Sequence, residues 1–574
     1  MRLYLFILVY FSFCPFIQAQ ENSFLGQNTT PTYDELIQFY QNLALSNQKI
    51  QLYNMGKSDF GKPIYLCVLN GEEDSTATFK KARANTTILI NNAIHPGEPC
   101  GVNACMELAL DYSLNADSKK NNFPLVAIIP AYNVGGMHNR SSTSRANQEG
   151  PLEYGFRGNA KNLDLNRDFI KMDSRNARTF ATIFHSLDPD IFIDTHTSNG
   201  ADYPYTLTYI APTFERMDPT LRALMYDELI PYLNHEMENT WNTALIPYVS
   251  MNSNRLDGGI HAFNTLPRYS MGYTDLFQTL SFTTEAHMLK PFPDRVKSTY
   301  GFINSCINWT LTNQTKLEKA RVLAKEKIKL IHSLPVNLAL DTSQIDSIYL
   351  KGYEWTMLPS KLTNQPRLFY DRTKPKDEFL PYFFNYHSTD SIKIPGFYII
   401  GQQELEIIEL LRLNGVTVVK SAFDTTLDAM AFKIVEYESS KRPFEGHYLH
   451  SNTKVEEVRK VLTIKRGDFI IPCRQQKLKF IINVLDPRFE DSYFSWNYFD
   501  SYIQQKEYFS SYVFEEKAIE ILNNNAELKS RYEEKKRTEI EFSSDRYAQL
   551  NFIYANSEYV EPSLNILPIF FVYE

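Results

Sequence analysis

Between residues 20 and about 335 the apolar positions fall into two alternating patterns. Thr86–Ala93 (TTILINNA) is β-branched and apolar almost throughout, the mark of a buried strand. It runs into His95 and then into a helical segment, Pro99–Tyr112. Leu125–Pro130 (LVAIIP) predicts a second strand, and Ser174–Leu187 predicts a helix with Ser174 placed to cap it. Ile191–Asp194, introduced by Asp188-Pro189-Asp190, and Thr279–Thr284 predict two further short strands. Strands interleaved with helices imply an α/β sheet with substantial parallel character.

Past about residue 335 the texture changes. Residues 345–400 are strand-like and rich in Tyr, Phe and Pro. A strand, helix and strand follow at Gly396–Ile400, Gln403–Leu413 and Gly415–Val419. Asp468–Pro472 reads as a strand, Lys477–Leu485 as a helix, and Glu515–Lys536 as one charged, exposed helix. The expected organisation is a leader at 1–19, an α/β domain at 20–335 and an accessory region at 336–574 of one or two smaller α+β or β-rich domains. No internal repeat or low-complexity linker interrupts it.

Length supports the division, because 574 residues exceed what one hydrophobic core ordinarily organises. A hydrophobic fraction of 43% with 22% charged residues excludes general disorder. The net charge of −8 is a mixture of both signs without a basic patch, which argues against nucleic acid as a partner. The 36 Tyr and 39 Phe fit tyrosine-rich strands, with a carbohydrate or peptide surface as the alternative.

Met1-Arg2, the apolar run Leu3–Ile17 and the stop at Ala19 form a signal-peptide pattern. The expectation is a secreted or periplasmic protein with no membrane span after cleavage and no folded inhibitory segment ahead of the α/β domain. Of six cysteines, Cys14 falls in the leader; the five that remain leave open one bridge or buried thiols.

Four stretches carry chemistry. In His95-Pro96-Gly97-Glu98, a histidine and a glutamate three apart at a strand end can face one metal ion, although a turn histidine before a helix-start glutamate would look the same. Asp194-Thr195-His196-Thr197 follows another strand and offers a third ligand. Two ligands close in sequence plus a distant one, with a position left for water, is the pattern of catalytic zinc. Glu285 ends an apolar, β-branched strand, a place where an unused carboxylate is costly to bury. Gly155–Asp168 is a polar loop with Arg157 and the pair Asn166-Arg167, and arginine forks suit carboxylates and oxyanions.

Taken together and in this order, these stretches resemble the zinc carboxypeptidase family over about residues 30–325. The resemblance implies an α/β fold with a mixed central sheet flanked by helices. It implies one zinc ion held by His95, Glu98 and His196, with Glu285 as the catalytic base. Arg157 then matches the arginine that stabilises the oxyanion, Asn166 and Arg167 the pair that binds the substrate's terminal carboxylate, and Asp164 the carboxylate that orients His95. Tyr269 is the better match to the capping tyrosine, with Tyr273 as competitor because loop lengths differ. The specificity segment, Ser270–Thr284, does not align, so Asp275 is either a determinant of basic preference or structural.

The implied activity is a secreted zinc metallocarboxypeptidase that releases C-terminal residues from peptides. An amidase acting on peptidoglycan stem peptides uses the same residue set. An inactive peptide- or glycan-binding protein is the reading of another class, and the aromatic-polar cluster Asp491-Ser492 with Trp496–Asp500 would serve it in the accessory region. Oligomeric state is not legible.

Overall fold

The computed structural model describes residues 24, 26–114, 122–198, 200–250 and 258–573. The expected leader at 1–19, with Cys14, lies outside the described residues.

The first strands are β1 (Ile50–Lys57) and β2 (Pro63–Leu69). The apolar runs that follow form β3 (Thr87–Asn91) and β4 (Leu125–Ile129), every residue of which is buried. Then come β5 (Ile191–Ser198), β6 (Leu207–Ile210), β7 (Leu245–Pro247), the two-residue β8 (Ile260–His261) and β9 (Leu280–His287). All but β8 join one eight-stranded sheet in the order β1-β2-β4-β3-β5-β9-β6-β7. Its centre, β4-β3-β5-β9, is parallel. β1–β2, β2–β4 and β6–β9 are antiparallel, so the sheet is mixed.

β5 and β9 run further than their apolar cores predict. They pair in register from Ile191 opposite Leu280 to Ser198 opposite His287, and the ladder carries the polar residues along. Helices flank the sheet at Tyr33–Ser46, Ser75–Ala84, Cys100–Leu114, Arg175–Leu187 and Phe292–Lys327. Ser174 caps its helix as expected, accepting from the Ala177 N–H.

The region past residue 335 is β-rich. Its first strands are β10 (Ser333–Leu340), β11 (Asp346–Leu350), β12 (Tyr353–Pro359), β13 (Pro366–Pro375), β14 (Glu378–Phe383) and β15 (Tyr386–Lys393). β14 pairs with β8, which ties this region to the loop segment ahead of β9. β16 (Phe397–Ile400), β17 (Val419–Lys420), β18 (Thr425–Ser439), β19 (His450–Ile464), β20 (Phe469–Pro472) and β21 (Ile566–Val572) form an antiparallel sheet in the order β17-β20-β16-β21-β18-β19.

Two local expectations change. The strand expected at Gly415–Val419 shrinks to the pair Val419–Lys420. The helix expected at Glu515–Lys536 is two helices, Ser511–Asn524 and Ala526–Thr538. The chain leaves helical geometry at Asn525, whose side chain accepts from Leu528 N–H and restarts the helix.

The boundary expected near 335 falls inside β10, and the apolar core is continuous across it. Ile193 and Phe282 share one buried cluster with Phe480, Trp496 and Phe571. The joint is also polar. Asp491, 2% exposed, accepts from Arg268 Nε at 2.8 Å, from Arg268 backbone N–H at 2.8 Å and from Trp496 Nε1 at 3.2 Å. Trp496 is fully buried, so the centre of this aromatic-polar cluster packs the joint, while Asn497, Tyr498 and Asp500 at its edge are half-buried. The five cysteines described are buried and no disulfide joins them. Among the described residues no helix is long and apolar enough to cross a membrane.

Candidate metal centre

The site lies at the carboxyl ends of the parallel strands, where open α/β sheets place ligands. β3 leads into a turn in which Glu98 N–H donates to the His95 carbonyl at 2.8 Å, so both side chains face the same way. β5 brings His196, and β9 places Glu285 directly opposite it in the parallel register. His95, Glu98 and His196 are buried, and one ligand atom from each lies within 4.8 Å of the others. Glu98 Oε2 is 3.4 Å from His95 Nδ1 and 3.1 Å from His196 Nδ1. Ligands held at the usual zinc distances by one tetrahedral ion stand about 3.3–3.6 Å apart, so this spacing fits such an ion.

A carboxylate stands behind each remaining nitrogen, and only His95 Nε2 is hydrogen-bonded to its own. His95 Nε2 meets Asp164 Oδ1 at 2.8 Å, and His196 Nε2 lies 3.1 Å from Asp194 Oδ2. Asp194 is fixed in turn by Asn91 Nδ2 at 3.1 Å and Ser270 Oγ at 2.5 Å. Carboxylates behind metal-facing imidazoles set the ring orientation and raise ligand basicity. His95 Nδ1 is buried and makes no hydrogen bond, which is the state of a nitrogen kept for a metal.

Electrostatics agree with a cation site. Burial opposes the charge on Glu98, yet His95, Arg145 and His196 hold its carboxyl well below the ordinary range. Burial likewise opposes protonation of His196, yet Asp194 and Glu98 push its imidazole well up; the potential between these groups favours positive charge. Glu285 moves the other way. Burial, helped by the Glu98 charge and opposed by His196, pushes its carboxyl up to about 7. A base poised near neutrality is what proton transfer at neutral pH requires.

A cleft of about 200 Å³ opens over these groups, and the expected substrate-facing residues line it: Arg157, Asn166, Arg167 and Tyr269. Asp164 ties them together. Its Oδ2 accepts from Arg157 Nε at 2.9 Å and lies 3.7 Å from Arg167 Nη1, and its Oδ1 accepts from Asn166 N–H at 2.9 Å. Burial opposes the Asp164 charge, but His95, Arg157 and Arg167 hold its carboxyl far below the usual range. Asn166 Oδ1 accepts from Ser270 N–H at 3.0 Å, and the Arg167 guanidinium lies 4.7 Å from the Tyr269 ring centroid. Tyr273 is in the core instead, its hydroxyl donating to Asn414 Oδ1 at 2.5 Å. Asp275 does not line the cleft; it is buried with Lys479 Nζ 3.8 Å away.

Two cleft residues escaped the sequence. Arg145 Nη1 donates to Glu98 Oε1 at 2.8 Å, while Oε2 faces the histidines and accepts from Thr197 N–H at 2.9 Å. It passes directly over Gly97, where a Cβ would stand 2.8 Å from Arg145 Cδ, so the glycine in His-Pro-Gly-Glu was its only trace. Tyr248, whose phenol burial pushes up, is a second cleft tyrosine, directly after the short strand β7. Other histidines lie apart: His138 stacks on Phe60 at 4.6 Å, His261 lies 3.5 Å from Ser250 Oγ, and His287 packs 4.3 Å from Tyr203.

With fold and site in view, comparison with known proteins adds a family. Residues 36–202 match the family model for zinc carboxypeptidase, a zinc-dependent family. The match includes His95, Glu98, Arg157, Asp164, Asn166, Arg167 and His196; Tyr269 and Glu285 lie beyond it. A search of curated proteins gives no match. Similar solved structures include a metallo-carboxypeptidase from Burkholderia cenocepacia, 14% identical over 49% of this chain and 69% of that one, TM-score 0.36. Bovine thrombin-activatable fibrinolysis inhibitor, in complex with tick carboxypeptidase inhibitor, is 13% identical over 50% and 99%, TM-score 0.37. Carboxypeptidase A from Helicoverpa armigera is 14% identical over 52% and 75%, TM-score 0.35.

Proposed function

We propose that the chain is a zinc-dependent metallocarboxypeptidase that removes C-terminal residues from peptides. The observation that carries this reading is the convergence on one cleft of a three-ligand cation site, a carboxylate poised near neutrality and an Asn-Arg pair. Only the first of these concerns a metal; the other two are what acting on a carboxylate-bearing peptide demands.

His95, Glu98 and His196 would hold the ion. Bound there, zinc supplies Lewis acidity toward a peptide carbonyl and toward a water. Glu285 takes the proton of the attacking water and delivers it to the leaving amine. Arg157 faces the charge that develops on the carbonyl oxygen, a contribution typically of about 3–4 kcal/mol per donor. Asn166 and Arg167 hold the terminal carboxylate, with Tyr269 packed against the arginine. Asp164 keeps His95 and Arg157 in mutual register. The leader pattern at residues 1–19 supports export to a secreted or periplasmic location.

The test is a matched panel: one peptide with a free C-terminus, its amidated copy and a muropeptide, assayed with metal content and chelator reversal. Trimming of the free peptide alone supports the reading. Cleavage of the muropeptide alone moves the function to peptidoglycan stem peptides, and zinc-free protein without turnover leaves a binding role.

A further inference from the structure

The loop that carries Asp164, Asn166 and Arg167 is gripped by a turn from the region past residue 335. Beyond the sheet, the β18–β19 hairpin narrows through Ser440 N–H to Leu449 O at 3.0 Å and closes where Phe444 and His447 exchange backbone hydrogen bonds at 2.7 and 3.1 Å. The two residues between them both have positive φ, 51° at Glu445 and 86° at Gly446, as in a type I′ turn. Gly446 suits that geometry. Glu445 does not, since a residue with a side chain resists the left-handed region and Asn, Asp or Gly is usual there.

What the strained residue does is visible in its contacts. Glu445 Oε2 accepts the backbone N–H of Asp164 at 2.7 Å, across 281 residues. The rest of the turn is clamped around this bond. His447 Nε2 meets Asp173 Oδ2 at 2.8 Å, and Asp173 binds the buried Lys171 at 2.7 Å. The Phe444 ring stacks on Trp496, and the Arg268 guanidinium lies over both rings.

Asp164 is the residue on which a metal-facing histidine, the Arg157 fork and the Asn166-Arg167 turn all converge. Its side-chain bonds fix two of its sides; its backbone is fixed by Glu445. We propose that Glu445 is a positioning residue of the active site, acting through Asp164 on His95, Arg157 and Arg167, and that the region past residue 335 thereby supplies part of the site. The proposal rests on the metallopeptidase reading for its kinetic consequence but not for its metal consequence.

The test compares Glu445→Ala with Glu445→Gln in the full chain. The alanine removes the acceptor; the glutamine keeps one carbonyl oxygen to accept the N–H and exchanges the other, with the charge, for an amide NH2. Zinc affinity is read by chelator competition, and kcat and KM on a peptide with a free C-terminus. Outer-shell partners of metal ligands such as Asp164 are worth about 10–100-fold, and Glu445 acts one bond further out, so Glu445→Ala is expected to lose up to about tenfold in zinc affinity and in kcat/KM, with Glu445→Gln restoring most of both. Wild-type zinc affinity and kcat/KM in the alanine variant would overturn the proposal, as would a glutamine variant no better than the alanine, or a loss of melting temperature alone. If the wild-type chain binds zinc yet cleaves no peptide, the metallopeptidase reading fails while the affinity comparison still decides the role of Glu445.

Discussion

Two arginine–carboxylate groups, one in the cleft and one at the joint between the halves, look alike in composition and differ in what they leave open. At the joint, Asp491 is closed on all sides by Arg268 and Trp496, and the rings of Phe444 and Trp496 cover the guanidinium. In the cleft, Arg145, Arg157 and Asp164 surround Glu98 and His95, yet the buried nitrogens His95 Nδ1 and His196 Nε2 are left without a hydrogen bond. Closed pairs stabilise by satisfying each other. An open arrangement of like chemistry is costly unless something charged comes to occupy it. The contrast separates a structural charge cluster from a functional one without appeal to which residues match a family.

The most drastic way to break the comparison is to remove one side of it. A chain ending at residue 335 loses Asp491, Trp496 and Asn414 and exposes an apolar core that runs across the cut. It is expected to be insoluble or without a cooperative melt, and a soluble, active fragment would show that the two regions are independent. Within the cleft, Glu285→Gln should keep zinc and lose about 10²–10⁴-fold in kcat, measured beside metal content, because proton transfer is removed and the ligands are not. At the joint, Asp491→Ala leaves a buried Arg268 unpaired and should cost about 3–5 kcal/mol in urea unfolding. An equal cost from a residue on the cleft side, without loss of metal, would erase the distinction.

The smallest expected effect is in pH. Glu285 must be ionised to accept a proton, and in the protein alone its carboxyl stands raised to about 7, so activity falls toward acid pH. A bound cation adds positive charge nearby and moves this limb below 7. A kcat/KM profile that stays flat to about pH 4, the ordinary carboxylate range, would separate Glu285 from the proton transfer.

How much of this the sequence carried depended on how local each feature is. His95 and Glu98 were legible because one turn holds both, and His196 and Glu285 because each ends an apolar run that betrays a strand. Arg145 was not, since its partner is reached over Gly97 from a polar loop with no periodicity. Glu445 was further out of reach: nothing near it marks a turn that meets Asp164 across 281 residues. The β18–β19 hairpin was missed because its strands are exposed over much of both faces, which blurs the alternation that marks a half-buried strand. Asp275 shows the opposite hazard, a charged residue in the right segment whose side chain turns away from the cleft.

The most direct test of the central claim is metal content and product mass on one protein sample, before and after chelation. The account predicts one zinc per chain and stepwise loss of C-terminal residues from a free peptide. It predicts an untouched amidated copy, and activity that disappears with chelator and returns with zinc. Turnover that survives complete zinc removal, or equal cleavage of the amidated peptide, would contradict it.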